Sequence, residues 1–265
     1  MKKWMVLAVA LLAGCTTQPA EQRGVSSSSS SASSGYSGSS NTDSRQRART
    51  QTDLAAAYYV RGQYKIALDE LRKAIVADSG YGPAYDIYGR IYMELAEYSL
   101  AEENFRRAID LDGNDSVARN DYGWFLCTRG RYDEGLSQFS AALQNPLYTR
   151  PEEAMANAGL CAAKKGDFAL AETNLTKSLK LQPDNPNTVL KLAELYLRQG
   201  RLMDAQRQLS RHAELSQPTA ESLWLAVRLE RKQGDRSQEA MFGSQLRKRF
   251  PDSNEAQLLR SGQYE

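Results

Sequence analysis

The sequence predicts an all-α protein, a right-handed superhelical solenoid of six helix pairs, because three series of small residues share one period. The first series consists of Ala55, Gly89, Gly123, Gly159, Ala193 and Val227. The second series consists of Gly62, Ala96, Gly130, Gly166, Gly200 and Gly234. The third series consists of Ala67, Ala101, Gly135, Ala171, Ala205 and Ala240. The spacing is 34 residues, apart from a step of 36 between the third and fourth members and a step of 35 at the end of the third series.

A period of 34 residues is typical of the tetratricopeptide repeat, in which two antiparallel helices, A and B, form one unit. The first and third series are expected where helices A and B cross, because a larger side chain would push the backbones apart. The second series ends each A helix, where glycine adopts the left-handed conformation. The predicted units are residues 48–81, 82–115, 116–149, 152–185, 186–219 and 220–252, with a C-terminal cap at 253–265.

Two departures from the period stand out. Two additional residues, with Pro146 and Pro151 nearby, lengthen the connection between the third and fourth units. This insertion either changes the superhelical curvature or is a tolerated loop insertion. The sixth unit is degenerate, with one extra residue expected before Ala240, as is usual for a terminal repeat that caps a stack.

The N-terminal residues have the pattern of a bacterial lipoprotein signal that ends at Cys15. Two lysines precede an apolar stretch, and small residues stand before the cysteine. Residues 1–14 are expected to be removed and Cys15 to carry the lipid; the alternative is an ordinary secreted protein with a chance cysteine. In known lipoproteins Asp after the cysteine retains the protein in the inner membrane. Thr16 therefore predicts lipid anchoring at the periplasmic face of the outer membrane.

Residues 15–47 are predicted to form a disordered, serine-rich tether. Serine occupies 11 of the 15 positions from 26 to 40, so the segment has few apolar side chains with which to fold. A flexible chain of this length has a root-mean-square reach of roughly 30 Å. The segment either gives the folded part this reach or is a filler spacer whose serines do no chemistry.

Composition argues against several functions. The formal net charge of +2 falls to zero once Lys2 and Lys3 are removed, so no nucleic acid partner is expected. No later segment is long and apolar enough to span a bilayer. His212 is the single histidine, and no metal-ligand cluster, phosphate loop or nucleophile elbow is present. We therefore expect no catalysis, no metal, no cofactor and no small-molecule substrate.

Four stretches go beyond the general repeat pattern: residues 120–127 (NDYGWFLC), 145–148 (NPLY), 157–161 (NAGLC) and 221–225 (ESLWL). Together with the lipoprotein signal they resemble the type IV pilus biogenesis lipoproteins called pilotins, the PilF/PilW group. The resemblance implies an outer-membrane lipoprotein that binds the type IV pilus secretin and promotes its localisation and multimerisation. The alternative is a repeat lipoprotein that acts as a scaffold for another envelope assembly machine or for peptidoglycan enzymes.

Cys127 and Cys161 fall on the A helices of adjacent units, which are expected to pack side by side. An exported domain lies in an oxidising compartment, where a disulfide between them would persist. The alternative is two small buried thiols.

Repeat solenoids of this kind usually bind their partners on the concave face, which the A helices line. The residues that map to this face are Thr52, Ala56, Tyr59, Val60, Asp86, Arg90, Met93, Asn120 and Trp124. Aromatic and flexible apolar side chains of this kind anchor protein interfaces. We expect a secretin segment to dock here as an extended or helical peptide; the alternative is that some of these side chains only pack between adjacent A helices.

Overall fold

The computed structural model describes residues 37–264, and the regular structure in this range is entirely α-helical. The helices form six antiparallel pairs followed by one short helix, so the all-α repeat fold is confirmed. Cys15 and the linker up to residue 36 lie outside the described residues. Within residues 37–264, every helix is too short or too polar to cross a membrane.

Each pair consists of an A helix and a B helix joined by a tight turn. The A helices are α1 (Ser37–Val60), α3 (Gly82–Glu94), α5 (Ser116–Thr128), α7 (Pro151–Lys165), α9 (Pro186–Arg198) and α11 (Ala220–Gln233). The B helices are α2 (Tyr64–Ala77), α4 (Tyr98–Leu111), α6 (Tyr132–Leu143), α8 (Phe168–Leu181), α10 (Leu202–Leu215) and α12 (Arg236–Arg249). Helix α13 (Asn254–Ser261) covers the C-terminal end of the stack.

Helix α1 begins earlier than the sequence predicts. It starts at Ser37, so the expected boundary between tether and first repeat at residue 48 lies inside the helix. Part of the extension contacts the turn after α2, where the Arg45 guanidinium lies 3.6 Å from the Asp78 carboxylate and 5.5 Å from the centre of the Tyr81 ring. The linker predicted at residues 15–47 is therefore helical in its last part.

The turn between the A and B helices has the left-handed backbone that the second series predicts. Positive φ angles occur at Gly62, Gly130, Gly166, Gly200 and Gly234. Ala96 occupies the same position in the second repeat with a φ of 60°, although an alanine side chain is strained in this conformation. The turn geometry is therefore set by the fold rather than by glycine alone.

Small and large residues face each other where helices A and B cross. A Cβ atom on Gly89 would lie 2.8 Å from the Phe105 ring, and one on Gly123 would lie 2.9 Å from the Phe139 ring. Both phenylalanines are fully buried. The first series is therefore small because a large B-helix side chain fills the crossing.

The sixth repeat corrects one prediction of the sequence. Helix α12 begins at Arg236, one 34-residue period after the start of α10, so no extra residue precedes it. Glu239 rather than Ala240 stands at the crossing, where its carboxylate accepts hydrogen bonds of 2.8 Å from both Arg231 and Arg236. Ala240 is exposed. Paired charge replaces the small residue at this crossing, which explains why the sequence pattern alone gave the wrong register.

The same repeat exchanges the sizes of the crossing residues. Val227 stands where the other A helices carry glycine or alanine, and it is fully buried. Gly243 stands where the other B helices carry leucine or phenylalanine, and a Cβ atom there would lie 3.4 Å from Leu259 of α13. The large residue of this repeat is therefore on helix A, and Leu259 of α13 lies beside the small residue on helix B.

The insertion between the third and fourth repeats contributes to the core. Tyr148 is buried and packs with Ala142 of α6 and Ala154 of α7. The Asn145 amide donates a 3.1 Å hydrogen bond to the Asn114 carbonyl of the preceding turn. The inserted residues thus pack between α6 and α7. A change in superhelical curvature at this connection stays a prediction.

Candidate protein-binding surface on the A helices

The A helices line the inner face of the solenoid. Each A helix contacts the next A helix, whereas within residues 37–264 no B helix contacts another B helix. Helices at a smaller radius of a superhelix lie closer together, so the A helices form the concave side. This is the side on which the repeat positions predict a partner to bind.

A cluster on α1, α3 and α5 joins several of the predicted residues, and we call it the Arg90 cluster. The Arg90 guanidinium lies 4.7 Å from the centre of the Tyr59 ring and 3.6 Å from the Asp121 carboxylate. Asp86 lies beneath this pair, one turn before Arg90 on the same helix. The Asn120 amide donates a 3.0 Å hydrogen bond to Asp121. Arg90 is therefore held between an aromatic ring and a carboxylate, with its orientation fixed before any partner arrives.

A buried carboxylate, Asp86, and a half-buried one, Asp121, share one cation in the Arg90 cluster. Burial raises the pKa of Asp86 well above its usual range, and the nearby Asp121 raises it further. Burial also raises the pKa of Asp121, although Arg90 opposes this effect. One carboxylate oxygen of Asp86 is buried without a hydrogen-bond partner. These conditions favour the protonated form of Asp86, while Arg90 and Asp121 form the charged pair.

Three of the residues predicted to meet a partner are buried instead. Thr52, Asp86 and Asn120 are only 5%, 4% and 1% exposed. The Thr52 hydroxyl donates a 2.8 Å hydrogen bond to the Ala48 backbone carbonyl, and the side-chain Oδ1 atom of Asn120 accepts one of 3.1 Å from the side-chain amide of Asn157 on α7. Short polar side chains at these positions lie where neighbouring A helices meet, so they support the concave surface from below and offer a partner no direct contact.

The remaining predicted residues lie at or near the surface. Val60 ends α1 and is 81% exposed, while Ala56 packs against the core of the first repeat. Met93 is half-buried and packs against the aromatic core between the second and third repeats. Trp124 is half-buried, and the Lys164 ammonium lies 4.9 Å from the centre of its ring. The accessible part of the surface therefore combines apolar side chains with two cations placed over aromatic rings.

Three residues that contribute to this surface were not predicted from the sequence: Asp121, Asn157 and Lys164. Asp121 and Asn157 occupy equivalent positions in the third and fourth repeats, so the repeat register could have identified them. Lys164 carries no such signal, because it is one of several lysines and arginines near the ends of the helices. Its place over Trp124 depends on how α5 and α7 pack.

A disulfide joins two A helices at the end of this surface. Cys127 of α5 and Cys161 of α7 are bonded, with their Cα atoms 5.6 Å apart. A Cβ atom on Gly135 would overlap the Cys127 sulfur. The third series therefore has glycine rather than alanine in this repeat, because the sulfur occupies the space of the methyl group. The bond fixes the spacing of α5 and α7 beside Trp124.

No metal site accompanies this surface. Among the residues from 37 to 264, no group of three or more His, Cys, Asp or Glu side chains has an arrangement that could hold a metal ion.

Comparisons with known proteins agree with this architecture. Family models described as tetratricopeptide repeat match residues 82–115, 126–186 and 162–227. The type IV pilus assembly protein PilF of Pseudomonas aeruginosa is 30% identical over 204 residues, which cover 77% of this chain and 81% of PilF.

Solved structures give the same result. The crystal structure of PilW, a widely conserved type IV pilus biogenesis factor, matches with a TM-score of 0.74 and 32% identity over 80% of this chain and 97% of PilW. The structure of Pseudomonas aeruginosa PilF matches with a TM-score of 0.71 and 28% identity over 84% of this chain and 99% of PilF. The chain therefore belongs to the family of tetratricopeptide repeat proteins that includes PilF and PilW.

Proposed function

We propose that this protein is an outer-membrane lipoprotein that acts in type IV pilus biogenesis, where it binds the pilus secretin and promotes its outer-membrane localisation and multimerisation. Similarity to PilF and PilW along most of the chain supports the role in pilus biogenesis. The lipoprotein signal that ends at Cys15 supports the membrane anchor. The single observation that carries the binding role is the preorganised Arg90 cluster on the concave face.

The Arg90 cluster is suited to bind a protein segment. Because the Tyr59 ring and the Asp121 carboxylate already hold Arg90, little side-chain entropy remains to be lost when a partner binds. Tyr59, Met93 and Trp124 supply apolar area beside this charge, and aromatic side chains with arginine commonly dominate binding energy. A secretin segment is therefore expected to cross α1, α3 and α5.

Replacing Tyr59, Met93 and Trp124 with alanine tests this surface. Removal of three interface anchors should weaken secretin binding roughly a hundredfold or more. The measurement is co-purification of the secretin from envelope extracts, with helical circular dichroism to show that each variant is folded. Retention of the secretin by a folded triple variant would refute the site.

A control removes three apolar side chains elsewhere on the surface. Val76, Leu147 and Met203 are 85%, 83% and 72% exposed and lie outside the A helices. Their replacement with alanine should leave secretin binding unchanged. An equal loss of secretin binding in both triple variants would indicate that non-specific hydrophobic contacts, rather than the concave face, capture the secretin.

The lipid is tested separately by Cys15→Ser. This change should leave the solenoid folded and able to bind the secretin, while the secretin fails to reach the outer membrane as a multimer. Normal outer-membrane assembly with Cys15→Ser would reject the delivery role. Retrieval of another envelope machine, without the secretin, would instead favour the scaffold function.

A further inference from the structure

A cleft of about 490 Å³ lies between the fifth and sixth repeats, away from the Arg90 cluster. Helices α10, α11 and α12 form its walls, so it opens on the side of the B helices rather than on the concave face. Ligand sites commonly have volumes of roughly 300 to 1,000 Å³. The proposed secretin surface does not use this cleft.

The cleft combines apolar walls with acceptor groups. Leu209, Leu223 and Phe242 supply apolar surface from the three helices in turn. Gln206 and Gln233 also line it, and a 3.2 Å hydrogen bond between their amides joins α10 to α11. Their amide groups border the apolar wall, so a polar head group on an apolar stem would find both kinds of contact.

The cleft is lined by acidic side chains without a basic counterpart from lysine or arginine. Glu230 and Asp235 line it, and none of its lining residues is lysine or arginine. Glu230 is only 8% exposed, and within residues 37–264 its carboxylate has no ion-pair or hydrogen-bond partner. Burial raises the pKa of Glu230, and Asp235 raises it further, because no nearby cation opposes them. A carboxylate that faces a cleft with no cation beside it is stabilised when a cationic donor enters.

His212 does not supply that cation. It is 3% exposed, and burial lowers the pKa of its imidazole, so the ring is neutral near neutral pH. Its Nε2 atom lies 3.2 Å from the Ser216 hydroxyl. The histidine is therefore a neutral, hydrogen-bonded part of the cleft wall.

We propose that this cleft is a second protein-binding site, which receives an arginine side chain flanked by apolar residues from a partner protein. The guanidinium would donate to the Glu230 carboxylate and to the glutamine amide oxygens, since its five N–H donors can serve several acceptors at once. The apolar stem and its neighbours would pack on Leu209 and Phe242. This site is independent of secretin binding at the Arg90 cluster.

Two peptides of equal shape test the proposal. The probes are acetyl-Ala-Leu-Arg-Leu-Ala-amide and the same peptide with citrulline, which is uncharged, in place of arginine. The single histidine of the chain, His212, provides one imidazole signal for a nuclear magnetic resonance titration of the full mature chain carrying Cys15→Ser. The arginine peptide should shift this signal and bind roughly tenfold to a hundredfold more tightly than the citrulline peptide.

Glu230→Gln gives the matched variant, because it keeps the shape of the side chain and removes its charge. It should abolish the preference for arginine over citrulline, whereas Glu214→Gln, an exposed change on α10, should preserve it. Equal binding of the two peptides, absence of any shift of the His212 signal, or full preference in Glu230→Gln would each overturn the proposal. None of these outcomes depends on the secretin.

Discussion

The contact between Gly89 and Phe105 gives the sharpest test of how the repeats pack. A methyl group added at Gly89 would lie 2.8 to 2.9 Å from three atoms of the Phe105 ring. The ring has no free space into which to move, because it is fully buried and its centre lies 5.9 Å from that of Tyr122 and 5.5 Å from that of Phe125. Gly89→Ala is therefore an overpacking change at a rigid contact.

The expected magnitude follows from two opposing effects. Overpacking of a well-packed core costs about 1 to 3 kcal/mol. Replacing glycine with alanine inside a helix stabilises it by about 0.5 to 1 kcal/mol. Gly89→Ala should therefore lower the free energy of unfolding by about 1 to 2 kcal/mol, and the overpacking effect should dominate.

A second change should rescue the first. Phe105→Leu alone leaves a small cavity and should cost about 1 to 2 kcal/mol. The double variant turns the Gly/Phe crossing into an Ala/Leu crossing, which this chain already uses in its first repeat at Ala55 and Leu71. The double variant should therefore lie within about 1 kcal/mol of the wild type, so the two changes couple by about 1 to 4 kcal/mol.

Urea unfolding followed by helical circular dichroism measures the four proteins of this cycle. Hydrogen exchange of the α4 amides gives a local readout, because each repeat contacts only its neighbours. Strict additivity, to within about 0.5 kcal/mol, would show that the two side chains do not share the space assigned to them. That result would refute the packing account of the small-residue series.

Three further predictions concern stability. Replacing both Cys127 and Cys161 with alanine should lower the free energy of unfolding by about 3 to 4 kcal/mol in the chain-entropy model, since the bond joins residues 34 apart. Urea unfolding of the oxidised wild type and of the variant measures this difference. Equal unfolding midpoints would contradict the prediction. Ala96→Gly should raise the free energy of unfolding by about 1 kcal/mol because it relieves an alanine held in the left-handed conformation, whereas Gly130→Ala should lower it by a similar amount. Thermal unfolding measures both variants. A loss of stability in Ala96→Gly would exclude backbone strain at Ala96. Asp86 has a raised pKa in the folded state, so its contribution to folding stability is present below the ordinary aspartate pKa and is lost as the pH rises through the raised pKa. Asp86→Asn should therefore be more stable than the wild type at about pH 8 and should show no such advantage at about pH 4, and an unchanged pH profile in urea unfolding would contradict this assignment.

Sequence periodicity was sufficient for the repeat fold because it records a local requirement. A small residue is needed wherever helix A crosses helix B, and this requirement recurs at Gly89, Gly123 and Gly159 with the repeat itself. The left-handed turns recur for the same reason. In the sixth repeat Val227 and the ion-paired Glu239 stand at the positions of the small residues, so the small-residue pattern no longer shows the register.

The candidate site was only partly accessible to sequence reasoning. Tyr59 and Arg90 were assigned to the concave face from their repeat positions, and the structure places the cation over the ring. The same reasoning assigned Asp86 and Asn120 to the accessible surface, yet both are buried. Repeat position defines the face of a helix, but the depth of a side chain depends on how closely the next A helix approaches.

The all-helical class, the number of repeats and the residues available for an interface could be predicted from the sequence, because each depends on side-chain size and spacing within one repeat unit. Three features could be found only from the packed helices: α1 extends back to Ser37, Arg90 lies between Tyr59 and Asp121, and Glu230 lies unpaired in a cleft. These features arise from contacts between elements that are distant in sequence. No period within one unit encodes such contacts, since they depend on the relative placement of neighbouring units in the stack.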